Sequence, residues 1–358
     1  MIVTLAAVVA LALAYVTPYV NPNRVWALSY LGLAIPILYV VNLLLMLYWA
    51  CRWKGMFFLP AIVVLIGIPQ IKKYYHIPIS KSYAEVQEQG SFRVMTYNVE
   101  GFVAYDEETK KSRSTASSIV GFIREMNPDI ICLQEFQSTR SFPEATLNEW
   151  LAEWPYRRMG YSITVKGTGV FGVALYSKFP IVADEDIRFE NSSNGAVSVD
   201  VVIGKKDTLR VICAHLETTY VDRSNVEFLN YQNFTADPDK PGKIRQIASR
   251  LRKGFRRRAF QADSLASIIA GREIPTVVCG DFNDTPNSYT YHTIREGYGD
   301  TFSDQGSGYG FTYKRLYGLL RIDYILRSPE LETLHYESPD VEWSDHNPVV
   351  VALRLRKP

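Results

Sequence analysis

The chain has 358 residues, 47% of them hydrophobic, which is enough for one large α/β-type domain plus an additional segment. Its 39 basic and 37 acidic residues leave a formal charge of +2, so bulk charge selects no partner and only the distribution of charge can matter. The four cysteines, Cys51, Cys132, Cys213 and Cys279, have no CxxC spacing. The last three sit in apolar strand-like runs, which argues against a zinc site or disulfide framework and makes them small buried hydrophobes.

From Met1 to Ile71 the sequence is three apolar blocks, Ile2 to Val16, Val25 to Ala50 and Met56 to Ile71. A bilayer span takes roughly 20 apolar residues, so the middle block is long enough and the outer two are at the short limit. Tyr15, Tyr19, Trp26, Tyr48, Trp49, Trp53, Tyr74 and Tyr75 cluster at the block edges, where amphipathic rings favour the headgroup level; three spans are expected. A cleaved signal peptide fits less well, since no basic residue precedes the first block. The side of the membrane stays open, because Arg52 and Lys54 pull against Arg24, Lys72, Lys73 and Lys81. Residues 72–90 are polar and unpatterned and read as a linker to a soluble domain, 91–358.

Within that domain short β-branched and aromatic runs predict strands at Phe92 to Asn98, Ile130 to Glu135, Tyr161 to Val165, Val170 to Tyr176, Val197 to Ile203, Leu209 to His215, Thr276 to Asp281, Ile322 to Leu326 and Pro348 to Leu355. Helical spacing appears at Ser114 to Met126, Ala145 to Glu153 and Ile244 to Ala270. So many strands with so few helices predict an α+β domain of two packed sheets flanked by helices. The polar stretch from Tyr220 to Gly242 reads as a substrate loop.

Lys243 to Arg258 carries eight cations and no acid; without it the rest of the chain has a charge of −6. Ile244, Ile247, Leu251 and Phe255 form one apolar stripe, so the segment is a basic amphipathic helix, weakened at Gly254. Its cations, Lys243, Arg250, Lys253 and Arg257 among them, are expected to meet anionic headgroups or an anionic substrate; DNA would serve electrostatically as well.

Polar groups gather at the strand ends: Asn98, Glu135, His215, Asp281 with Asn283, Asp323, and Asp345 with His346. Each has an ordinary explanation. His215 could be a hydrogen-bonded core histidine, Asp281 could close an Asx turn, and Asp323 could pair with Arg321 or Arg327. Jointly they form an oxygen-rich set without cysteine, which suits Mg²⁺, with Mn²⁺ as the alternative. His76, His292 and His335 lack such a setting and read as surface residues.

Thr96-Tyr97-Asn98-Val99, Leu133-Gln134-Glu135, Ala214-His215-Leu216, Gly280-Asp281-Phe282-Asn283, Arg321-Ile322-Asp323-Tyr324 and Ser344-Asp345-His346-Asn347-Pro348-Val349 occur in the order seen in the endonuclease/exonuclease/phosphatase superfamily. The chain resembles a membrane-anchored bacterial-type member, over about Ser91 to Leu355. The resemblance implies a four-layer α/β/β/α sandwich with two mixed sheets and Mg²⁺-dependent phosphoester hydrolysis. It implies that Glu135 binds the metal with Asn98 and Asp345 nearby, that Asp281 orients or deprotonates the water, helped by Asn283, that His215 and His346 contact phosphate, and that Asp323 holds His346. Whether Asp281 or His346 is the base stays open. The expected function is that of an inner-membrane hydrolase acting on a lipid-type phosphoester. A polynucleotide nuclease is the alternative and a non-catalytic anion-binding protein the third reading; nothing points to a protein partner.

Overall fold

A computed structural model describes residues 1–77, 90–106, 111–140, 142–165, 169–204, 207–219, 240–270, 274–316 and 318–356. The expected substrate loop falls almost wholly outside these residues, as does most of the expected linker. By its internal contacts the chain divides into two units. One is Met1–Tyr75 with Thr219–Ala270 and Asp284–Glu296, the other His76–Thr218 with Gly271–Asn283 and Gly297–Pro358.

The first unit begins with the helix Ile2–Val16, extended by a 3₁₀ turn to Tyr19. Those 18 residues are long and apolar enough to cross a membrane. The middle apolar block is not one straight helix: Ala27–Leu33 and Ile35–Cys51 meet at 67°. Pro36 lies in the first turn of the second helix, where its missing N–H is tolerated, but it could not have continued the first. The third block is the shorter helical stretch Gly55–Ile66. Asn42 is fully buried and donates to the Ala7 carbonyl (3.1 Å), and buried Thr4 accepts from Trp49 (2.9 Å). Meanwhile Ile37, Val40, Leu44 and Leu47 are exposed.

The long helix Lys240–Ile269 completes this unit and passes through Gly254 without a break. A Cβ at Gly254 would stand 2.9 Å from Arg258 Nη1, so glycine makes room for that guanidinium. The apolar stripe is covered by the N-terminal segment: Ile247 and Phe255 are buried, and Tyr30 sets its ring edge against Phe255 at 5.5 Å. Arg252 stacks over Trp26 and Arg256 bonds Asn23, whereas Arg258 is buried and paired with Asp284 at 3.1 Å. Arg258 is thus a structural cation, not one of the solvent-facing set.

The second unit holds two six-stranded sheets. The strands are β1 (Ser91–Asn98), β2 (Ile130–Thr139), β3 (Tyr156–Val165), β4 (Gly169–Ser177), β5 (Ile181–Arg188), β6 (Gly195–Ile203), β7 (Asp207–His215), β8 (Thr276–Asp281), β9 (Gly299–Asp300), β10 (Asp323–Arg327), β11 (Leu331–Glu337) and β12 (Val349–Leu355). One sheet runs β11-β12-β1-β2-β4-β3, the other β9-β10-β8-β7-β6-β5. Each has one parallel pair, β1 with β2 and β7 with β8, among antiparallel neighbours. Alternate residues of both sheets form the shared core, including Val94, Cys132, Val199, Cys213 and Cys279. The other face of the first sheet packs Met95, Tyr97 and Leu133 against the helix Ala116–Met126 and, with Leu147, the helix Glu144–Trp150. This is the α+β arrangement of two sheets that the strand pattern predicts, with the mixed pairing that the resemblance implies.

Candidate active site

Parallel neighbours end on the same side, and an antiparallel neighbour starts where its partner ends. β1 therefore delivers Asn98 beside the segment of β2 that carries Glu135, and β7 and β8 deliver His215 and Asp281, which are direct register partners. Asp323 opens β10 opposite Asp281, and His346 precedes β12, which starts opposite Thr96 of β1. Six distant pieces of sequence thus reach one edge of the sheet pair.

Two backbone features aim the side chains. Glu135 sits at a register shift between Leu133 and Phe136 with φ of 51°, a left-handed conformation uncommon for a residue with a Cβ. Gly280 has φ of 139°, and a Cβ there would lie 1.8 Å from the Ala214 carbonyl oxygen, so β7 and β8 could not close around any other residue.

Asn98 joins the two sheets' contributions, donating through Nδ2 to Glu135 (3.2 Å) and to Asp281 Oδ2 (3.0 Å). The Asn283 backbone N–H donates to Asp281 Oδ1 at 2.8 Å, so the Asx turn exists alongside the site, and its side chain donates to the Leu216 carbonyl. His346 Nδ1 donates to Asp323 Oδ2 at 2.8 Å, leaving Nε2 turned to Asp281, 3.9 Å away. The ordinary partners weighed for Asp323 are engaged elsewhere: Arg321 pairs with Asp300, and Arg327 with Asp304. Ser344 donates to the Asn98 carbonyl at 2.7 Å and fixes the Asp345-His346 segment to the end of β1.

His215 is buried, its Nε2 lies 3.7 Å from Asp281 and 3.9 Å from Glu135, and that atom has no hydrogen-bond partner. A satisfied core histidine would not look like this. Burial holds the His215 ring neutral, down to a pKa of about 3. His346 goes the other way: burial opposes its charge, but Asp323 and Asp281 outweigh it and raise the pKa well above 6.5. Burial, reinforced by Asp323, pushes Asp281 up to about 8, and burial also raises Glu135.

Among the described residues, Asp281, Asp323 and His346 bring a set of ligating atoms within 4.8 Å of one another. The expected ligands Glu135 and Asn98 flank it, and the third, Asp345, is drawn to Arg315 at 2.8 Å. Asp323 and His346 already satisfy each other, while the Glu135 side chain keeps 28% of its surface exposed. Buried oxygen donors, an Asp323 Oδ1 without a partner and the bare His215 nitrogen fit a hard divalent cation with an anion beside it.

Lys243, Arg250, Lys253 and Arg257 lie on the long helix of the other unit, Lys253 exposed and the rest half-buried. Two residues escaped sequence reasoning. Glu100 and Arg315 form an ion pair at the site's rim, and neither stands at a strand end where such groups were sought. His335, read as a surface residue, is buried on β11 at 3.8 Å from Glu337, and His292 is half-buried.

Paired acids and two imidazoles gathered at one sheet edge are the groups a phosphoester hydrolase uses. The chain belongs to the Endonuclease/Exonuclease/phosphatase family, which it matches over residues 95–346. Residues 1–74 match a second family, a domain of unknown function. Among solved structures, an endonuclease/exonuclease/phosphatase from Beutenbergia cavernae is 20% identical, covering 75% of this chain and 72% of that one, with a TM-score of 0.53. Another from Bacteroides vulgatus is 18% identical, covering 75% and 100%, with a TM-score of 0.51. At such identities the likeness speaks to fold alone. No curated protein matches the chain.

Proposed function

We propose that this chain is a membrane-anchored, Mg²⁺-dependent hydrolase that drives water directly onto a lipid-type phosphodiester or phosphomonoester. The observation that carries the reading is the convergence of Asp281, Asp323 and His346 within 4.8 Å, beside the unpartnered Nε2 of His215. Glu135, with Asn98 and Asp345, would hold the cation, which when bound neutralises charge on the phosphoryl oxygens. His346, held through Nδ1 by Asp323, whose charge favours the imidazolium, presents Nε2–H as a donor to the phosphate. Asp281 is left as the group that orients the water and takes its proton, with Asn283 beside it. The Asp281 carboxylate accepts from Asn98 Nδ2 and from the Asn283 N–H, bonds that favour the ionised form able to take a proton. His215 stays neutral and contacts a phosphoryl oxygen through its free nitrogen.

The membrane reading rests on an inverted pattern: Thr4 and Asn42 bond inside the N-terminal helices while Ile37, Val40, Leu44 and Leu47 face outward. Arg245, Arg252, Lys253 and Arg256 are exposed on the long helix next to Trp26, a placement that suits anionic headgroups. Polynucleotide is the second reading, since the same cations would attract it.

The test uses the full-length chain in detergent, with Mg²⁺ or with chelator, offered phospholipids in mixed micelles, oligonucleotides and soluble phosphate monoesters. Metal-dependent cleavage of phospholipid is expected. Cleavage of oligonucleotide alone would replace the substrate class, and activity surviving both chelator and Asp281→Ala would remove the mechanism.

A further inference from the structure

Residues 311–316 border the site without having been counted in it. Tyr313 forms a β-bridge with His346 and sets its ring 5.0 Å from the imidazole, and the Lys314 N–H donates to the Asp345 carbonyl at 3.0 Å. This backbone lattice fixes the base of Arg315. Its guanidinium reaches over the acids, with Nε 2.8 Å from Asp345 Oδ2 and Nη2 on Glu100 Oε1. Glu100 in turn accepts the Asp345 N–H at 3.2 Å through its other oxygen. The acids are mostly covered, at 18% and 17% side-chain exposure, while Arg315 keeps 26%.

A single positive charge therefore occupies one side of Asp345, one of the carboxylates expected near the divalent cation. We propose that Arg315 is a displaceable counter-charge: it competes with the divalent cation for Asp345 and, once displaced, turns its fork to the phosphoryl oxygens of the substrate. This rests on the phosphoester-hydrolase reading above. A doubly charged ion outbids a guanidinium for a carboxylate, and a planar fork with parallel N–H groups matches two phosphate oxygens as well as it matches two carboxylates. Partial exposure lets the head turn on a stem anchored by the loop, so acids that would repel one another without the ion stay neutralised until it arrives.

Competition makes the prediction two-sided. Mn²⁺ binding by the full-length chain in detergent is measured by calorimetry without substrate, and turnover with bis(p-nitrophenyl) phosphate. Arg315→Ala is expected to bind Mn²⁺ about tenfold more tightly, because Asp345 is no longer occupied in most molecules. Its kcat/KM is expected to fall about 100-fold, as for loss of a transition-state donor, and to recover in part with free guanidinium. Arg315→Gln should show the same pair of changes and guards against misfolding of the alanine variant, checked by thermal melting. Unchanged or weaker Mn²⁺ binding in both variants would overturn the proposal, as would unchanged kcat/KM. A wild-type chain that neither binds Mn²⁺ nor cleaves would overturn the functional reading itself.

Discussion

Two imidazoles less than 4 Å from the same Asp281 oxygen sit at opposite ends of their titration range. We expect ¹⁵N NMR of the metal-free protein to find His346 doubly protonated at pH 7 and His215 still neutral at pH 5. Asp323→Asn should bring the His346 pKa down and cut kcat about 100-fold, with circular dichroism unchanged. The stability consequence has a definite sign. His346 has a raised folded pKa, so its contribution is full below pH 6.5 and fades as pH rises through the folded value; the gap in melting temperature between wild type and Asp323→Asn should narrow at high pH. Asp281, pushed up to about 8, likewise favours folding below its ordinary carboxylate range and loses that contribution as pH rises toward 8. Asp281→Asn should therefore gain on wild type in melting temperature from about pH 4 to pH 8 when metal-free, and lose about 10³-fold in kcat when assayed with Mg²⁺. The residue types of this site were legible from the sequence because they flank apolar runs: Asn98, Glu135, His215 and Asp281 follow one, and Asp323 and His346 precede one. Arg315 and Glu100 were not, since their importance comes only from meeting each other across 215 positions.

At the scale of elements, the strands buried on both faces were the readable ones. β8 is apolar from Val277 and β7 from Val211, and both end where the pattern says they do. β5 and β11 escaped notice because each is an edge strand with charges along it, Asp184, Glu185 and Asp186 in one, Glu332 and Glu337 in the other. An edge needs such charges to discourage pairing with another chain, and they erase the alternation that marks a strand. The turn geometry matters most at β8. Gly280→Ala would drive a methyl group into the Ala214 carbonyl, so we expect a loss of about 3 kcal/mol or more in denaturant melts, and lost activity even in the fraction that folds. The middle apolar block shows the reverse failure: Pro36 was in plain view, but hydropathy averages over 20 residues hide a bend that one missing N–H permits.

For the whole molecule, charge and hydropathy make one prediction about handling. The chain should need detergent, and replacing exposed Arg245, Lys253 and Arg256 by glutamine should weaken co-sedimentation with anionic vesicles while leaving neutral vesicles unaffected. Chain order conceals how its parts group. Residues 219–270 and 284–296 cluster with the first 75, a fact no linear reading contains, since it depends on which apolar face finds which cover. Tyr30 and its neighbours roof Phe255 and Ile247 on the long helix. Anyone wishing to make a water-soluble enzyme by amputating the N-terminal helices would uncover that greasy seam, and the trimmed protein would clump in the test tube for reasons unrelated to its chemistry.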